Sequence, residues 1–162
     1  MSRIVYVDRL NEKYQGLGFP PYRWSAYDES PWVAFTKPLN RSCIALISSA
    51  GIFREDQQPF DPWAVNDLSF RQIPRETPAK RLKLHHNYFD HRDALKDFNC
   101  VFPVHRLQEL EQSGYIGRFA SPAISLGMGR LYKRTELLKG TVPKILEVLK
   151  EQETDAALLV AA

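Results

Sequence analysis

The sequence predicts an α/β fold, a small three-layer domain built on a mostly parallel sheet of about four strands and preceded by an irregular, aromatic- and Pro-rich arm. Three observations predict it. Short apolar runs of strand length recur, "CIALIS" and "AALLVAA" being the clearest. A helix with a single apolar stripe stands directly before the last run. The order strand, helix, strand, helix, strand is that of an α/β chain. A length of 162 residues, 44% hydrophobic and 25% charged, suits one domain with a real core. The composition divides the chain into an arm over residues 1–40 and a body over 41–162.

The arm contains "GFPPYRWSAYDESPWVAFTKPL". It is too apolar for a disordered tail and too rich in Pro for regular structure. The expectation is irregular chain packed on the body through Trp24, Trp32 and Phe35; the alternative is that these rings meet a partner chain. Cys43 to Ile47 then reads as a strand buried on both faces, ending in the small turn Ser48-Ser49-Ala50-Gly51, where backbone can approach a ligand. Residues 54–80 are polar and turn-rich and read as a long surface excursion. "RLKLHHNYF" is the next strand candidate. A helix follows from about Val104 to Gln112, with Leu107 and Leu110 inward and Gly114 as its αL cap. "SPAISLGMG" is a third short strand. The last helix carries Pro143 in its first turn and Val142, Ile145, Leu146 and Leu149 on one stripe. Ala156 to Ala162 forms the fourth strand, read as buried.

The charge pattern excludes several classes. Net charge is +3, with basic residues spread along the chain; Lys80, Arg81 and Lys83 read as a solvated strand edge, not a nucleic-acid stripe. No apolar run reaches the roughly 18 residues of a membrane helix, and the charged N-terminus is no signal peptide. The expectation is a cytoplasmic protein without nucleic-acid or membrane partners. Cys43 and Cys100 make no C-x-x-C and read as two buried thiols.

The densest chemistry lies in "LHHNYFDHRDALKDFN", which holds three of the four histidines together with Asp90, Asp93 and Asp97. His85 and His86 point to opposite faces of a strand, so one of them faces a given pocket. His86 and Asp90 share a face if the strand persists, and His91 joins from the turn. The set suits general acid–base work or substrate binding by His86 and Asp90. It also suits a metal site of His86, Asp90 and His91 in a small hydrolase or lyase, or plain tethering of a loop. "GMG" at Gly127 and Gly129 is a weak phosphate-loop signal, and no Walker, G-x-G-x-x-G or G-x-S-x-G motif occurs.

One further pattern is the order of segments. Lys37-Pro38-Leu39, Arg71 to Pro74, His86 with Phe89-Asp90, Asp97 with Asn99, Val101-Phe102-Pro103, Arg106 to Leu110 and Gly114 to Gly117 follow one another in an arrangement that resembles the selenoprotein B family of glycine, sarcosine, betaine and D-proline reductases. His105 departs from that pattern. The resemblance implies reductive cleavage of a C–N or related bond in a small amino-acid-like substrate. It implies a pyruvoyl-bearing partner subunit and a substrate-binding set of Ser48, Ser49, His86, Asp97 and Asn99. In such proteins a selenocysteine or cysteine redox pair follows a strand like "LLVAA". The expectation is therefore a nucleophile just beyond Ala162, the codon after Ala162 being a UGA; an arbitrary cut and a naturally short, non-catalytic scaffold subunit are the alternatives. A last strand without its following helix also points to oligomerisation.

Overall fold

The computed structural model describes residues 5–21, 28–31, 33–127 and 133–162. The chain divides into two compact units, Met1–Phe35 and Thr36–Ala162. The first holds α1 (Tyr6–Gly16). The Pro-rich reading expected irregular chain there, but the prolines begin only at Pro20, and "YVDRLNEKYQG" has no residue that breaks a helix before Gly16. Tyr14 meets Phe19 edge-on at 6.0 Å between ring centres. Trp24 and Trp32 lie outside the described residues.

The second unit runs β1 (Cys43–Ser48), β2 (Ile52–Arg54), β3 (Phe70–Ile73), β4 (Leu82–Leu84), α2 (Arg92–Lys96), α3 (Val104–Gln112), β5 (Arg118–Phe119), β6 (Ala123–Leu126), α4 (Arg134–Glu136), α5 (Val142–Glu151) and β7 (Ala156–Val160). The main sheet has five strands. β1 pairs in parallel with β7 along one side; on its other side β5 meets Cys43 and Ile44, and β6 meets Ile47 and Ser48. β3 adds antiparallel to β6. The α/β class with a mostly parallel sheet stands as predicted. β4 forms a separate antiparallel pair with β2. The excursion over 54–80 is not all loop, because it contains β3, whose Ile73 is buried.

The sheet is covered on both faces. Ile44 and Leu46 of β1 pack with Phe102, Val104 and Leu107 at the start of α3, and with Ile52 of β2. The alternate residues Cys43 and Ala45 face Leu149 of α5, while Ile124 of β6 packs on Ile145 and Val148. This alternation is what a strand period of two dictates for a sheet between two layers. Burying these side chains contributes about 1.5–3 kcal/mol each.

α3 and its Gly114 cap, at φ +71°, match the sequence reading. Its Leu110 is more exposed than Leu107, at 36% against 4%. The last helix differs more. It begins at Arg134 and passes through a π-helical stretch, Leu137–Thr141, into α5. Pro143 has no N–H to donate to the preceding turn, and widening that turn is one way a helix accommodates the gap. The stripe is rotated as well: Ile145 and Val148 are buried, while Leu146 is 48% exposed. β7 is an edge strand rather than a buried one. Among the described residues it pairs only with β1, and Leu159 is 72% exposed.

Candidate functional site

β1, β6 and β7 run in parallel and end side by side, and a cleft opens at those carboxyl ends. It holds about 220 Å³ and is lined by Ser49, Asn66, Asp67, Leu68, Ser69, His86, Leu126, Gly127, Lys133, Leu137 and Ala162. Ligands of open α/β sheets bind at that end.

The turn after β1 builds one wall. Ser48 is fully buried; its hydroxyl donates to the Val101 carbonyl at 2.7 Å and accepts the Ala50 N–H at 3.2 Å. Ser48 thus ties the turn to the segment before α3 and does not line the cleft. The Ser49 N–H donates to the Val160 carbonyl at 3.1 Å, and the Ser49 Oγ accepts the Ala162 N–H at 3.1 Å. The ends of β1 and β7 are laced together this way.

Gly51 sets the next piece. Its φ is +67°, a region that L side chains rarely adopt. Its N–H donates to Leu126, and its carbonyl accepts the His85 N–H at 3.1 Å. The end of β4 is thereby held against the ends of β1 and β6, and the next residue, His86, reaches the cleft. On the opposite wall the 66–69 loop closes on itself. The Asp67 carboxylate accepts the Ser69 N–H at 2.9 Å and the Ser69 hydroxyl. Gly127 lets this loop in, since a Cβ there would stand 2.8 Å from the Phe60 ring and 2.9 Å from the Asp67 carboxyl carbon.

His86 is 3% exposed. Its ring meets Phe89 at 4.5 Å and Tyr88 at 6.1 Å, both edge-on. Nδ1 accepts the Tyr88 N–H at 3.2 Å, and Nε2 is buried without a partner. Burial, with the nearby His91 adding to it, pushes the imidazole down to about 4. His85 faces the other way, although both histidines lie past the end of β4 at Leu84. Its Nδ1 lies 2.9 Å from the Phe60 carbonyl, and its ring lies edge-on to Phe53.

The remaining candidates are not brought to this cleft. β4 ends at Leu84, so the strand does not carry Asp90 onto the face of His86. Asp90 is exposed and clasped by the Arg92 guanidinium at 2.9 Å, which holds its carboxyl below the usual range. His91 lies edge-on to Phe89 with its Nδ1 buried and unpartnered. Among the described residues no group of three or more His, Cys, Asp or Glu is placed to hold a metal ion. The His86, Asp90 and His91 trio is thus not assembled as a metal site. The Nδ1 lone pair of His86 is already taken by the Tyr88 N–H at 3.2 Å.

Asp97 and Asn99 bind each other and the start of α3. The Asp97 Oδ1 accepts the Asn99 backbone N–H at 2.9 Å and its side-chain amide at 2.8 Å, while the Asn99 Oδ1 accepts the His105 N–H at 3.1 Å. The Asn99 side-chain nitrogen also lies 3.2 Å from the His105 Nδ1. Cys43 is buried at the opposite end of β1, and burial pushes its thiol up. Cys100 is exposed, contrary to the expectation of two buried thiols. Sequence reasoning missed Asp67 and Lys133, which reach the cleft from separate loops and carry no local motif.

No helix among the described residues is long and apolar enough to cross a membrane. No family model and no solved structure matches the chain. Among curated proteins the chain is similar to the D-proline reductase subunit gamma of Acetoanaerobium sticklandii, with 33% identity over 163 aligned residues. That alignment takes in 99% of this chain and 62% of the subunit, so the chain spans less than two thirds of the relative it matches over nearly its own whole length.

Proposed function

We propose that the chain is part of a reductase subunit of the selenoprotein B type, which cleaves a C–N or related C–heteroatom bond of a small amino-acid-like substrate. The observation that carries this reading is the similarity to a D-proline reductase subunit across 99% of the chain. A selenol or thiol pair would supply the two electrons that turn C–N into C–H, and neither cysteine here suits that task. Cys43 is buried far from the cleft with its thiol pushed up, and Cys100 lies outside the cleft lining. The fit is better at the end of β7, where Ala162 already forms cleft wall beside Ser49 and His86. A residue delivered by continuation of β7 would meet the substrate there. Ser49 and His86 would hold and orient that substrate, and the wall of buried His86 and half-buried Leu126 and Leu137 would limit water.

The complex would include a pyruvoyl-bearing partner subunit. The exposed Leu158 and Leu159 of β7 favour burial against such a partner, or against a second copy. The same edge supports a second reading, a non-catalytic scaffold subunit.

The test is the coding DNA after Ala162. An in-frame UGA or Cys codon, followed by an open frame with a second Cys nearby, supports the reductase. A UAA or UAG at that position removes its nucleophile and leaves the scaffold.

A further inference from the structure

β4 is an edge: among the described residues it pairs only with β2. The register fixes which of its backbone groups point outward. The His85 N–H donates to the Gly51 carbonyl and the Glu55 N–H to the Arg81 carbonyl, so positions 81, 83 and 85 turn toward β2. Leu84 and Leu82 lie between them, opposite Ile52 and Arg54, and turn their backbone groups away from it. The Leu82 N–H is taken by the Ala79 carbonyl. The Leu82 carbonyl and both backbone groups of Leu84 have no hydrogen-bond partner among the described residues. A groove of about 580 Å³ runs along this edge, and Leu82, Lys83 and Leu84 line it in succession. Consecutive side chains of a strand point to opposite faces, so what these three share with the groove is the strand's edge. We propose that β4 accepts a third strand there, an extended segment of a partner chain that alternates apolar and acidic residues.

The lining selects that chemistry. Leu95 and Phe98 contribute apolar surface from α2 and the turn after it, and Leu95 is 55% exposed. Leu82, Leu84 and Phe98 all belong to the margin of one core cluster, so every second residue of an added strand meets an apolar floor. Lys83 stands on the other face of β4, and Lys80 lines the groove beside it; both are exposed. Among the described residues neither lies within ion-pair distance of a carboxylate. The nearby acids are engaged, Asp93 with the Lys96 ammonium and Asp97 Oδ1 with Asn99. The remaining residues of an added strand would therefore face positive charge. Lysines on an open edge also bar it to a second copy, since pairing β4 with β4 would set Lys80 and Lys83 against their own counterparts. The groove shares no lining residue with the cleft at the ends of the parallel strands. The proposal does not rest on the reductase reading.

The experiment is ¹H–¹⁵N NMR of the full chain titrated with the end-capped peptide Glu-Val-Glu-Val-Glu, with Lys-Val-Lys-Val-Lys as its charge-reversed control. The expected result is a saturable shift of the Leu84 amide, slower exchange of that amide with solvent, and at least tenfold weaker binding of the basic peptide. The acidic peptide N-methylated at every residue cannot pair with a strand and should not bind. Lys80→Glu combined with Lys83→Glu alters only exposed side chains, so the spectrum elsewhere should stay that of the parent while the preference between the two peptides reverses. Absence of a saturable shift, shifts confined to residues outside the groove, equal binding of the two peptides, retained binding of the methylated peptide, or an unchanged preference in the double variant overturns the proposal.

Discussion

A Cβ on Gly51 would stand 2.2 Å from the carbonyl oxygen of His85. The cleft depends on that closeness. Gly51 joins the end of β1 to the end of β4, its positive φ makes the turn, and the residue after His85 is the one that enters the cleft.

Gly51→Ala therefore meets two penalties at once. The left-handed conformation costs a non-glycine residue about 1–2 kcal/mol. The backbone of His85 must also move, since a contact of 2.2 Å cannot persist. We expect a loss of at least about 2 kcal/mol in urea unfolding, together with a shift of the His86 ring resonances. Stability and resonances like those of the parent would mean that the turn does not hold β4 in place.

The two cysteines separate by burial. Cys100 is exposed, whereas Cys43 is buried, its Sγ 3.7 Å from the Gln152 carbonyl and its thiol pushed up by burial. The thiolate is the reactive form, so iodoacetamide at neutral pH should alkylate Cys100 in the native protein and both residues only in denaturant. Mass spectrometry of the digest reads this directly. Early modification of Cys43 would show that the start of β1 opens.

Much of the fold is legible because it repeats a period. β1 and α3 announce themselves through apolar spacing and, for α3, through the glycine that stops it. β3 does not, because "FRQI" alternates weakly and buries only Ile73 deeply. β5 is two residues long, and no pattern can develop in two residues. β7 reads as buried because its composition is that of a central strand, and composition does not say which neighbours are present. The site was half legible. His86 stands out through its alternation with His85, and Ser49 through the small-residue turn. Asp67 and Lys133 reach the cleft only through chain reversals that no local spacing encodes. Asp97 and Asn99 carry reactive groups but use them on each other.

Asp155 fastens the start of β7. Its Oδ2 accepts the Cys43 N–H at 2.8 Å and the Lys37 ammonium at 2.6 Å, and these partners, Lys37 foremost, hold the carboxyl below its ordinary range. Such a group stabilises the fold above its unfolded-state value of 3.8, and that contribution is lost as pH falls through the lower folded-state value. Asp155→Ala removes both bonds, while Asp155→Asn keeps an acceptor for Cys43 and loses the ion pair. Thermal midpoints at pH 7 should fall in the order parent, Asn, Ala, and the gaps should narrow at pH 2–3. Equal midpoints at pH 7 would show that β1 and β7 hold their register without this side chain.

His86 gives the fold a pH dependence of the opposite chemical origin but the same direction. Burial, reinforced by His91, holds its imidazole at about 4 against an ordinary 6.5. Between those values the unfolded chain binds a proton at His86 that the folded chain refuses. Stability is therefore complete above about pH 6.5 and falls as pH is lowered toward 4, levelling below that point. The full span, 6.5 to about 4, is worth about 3 kcal/mol. Asp90, Asp97 and Asp155 are held below 3.8 by their own partners, so their losses begin at the lower edge of this window. Urea unfolding at half-unit steps from pH 4 to 8 should show the slope in the parent and its flattening in His86→Asn. Identical slopes in the two proteins would mean that His86 titrates alike in the folded and the unfolded chain.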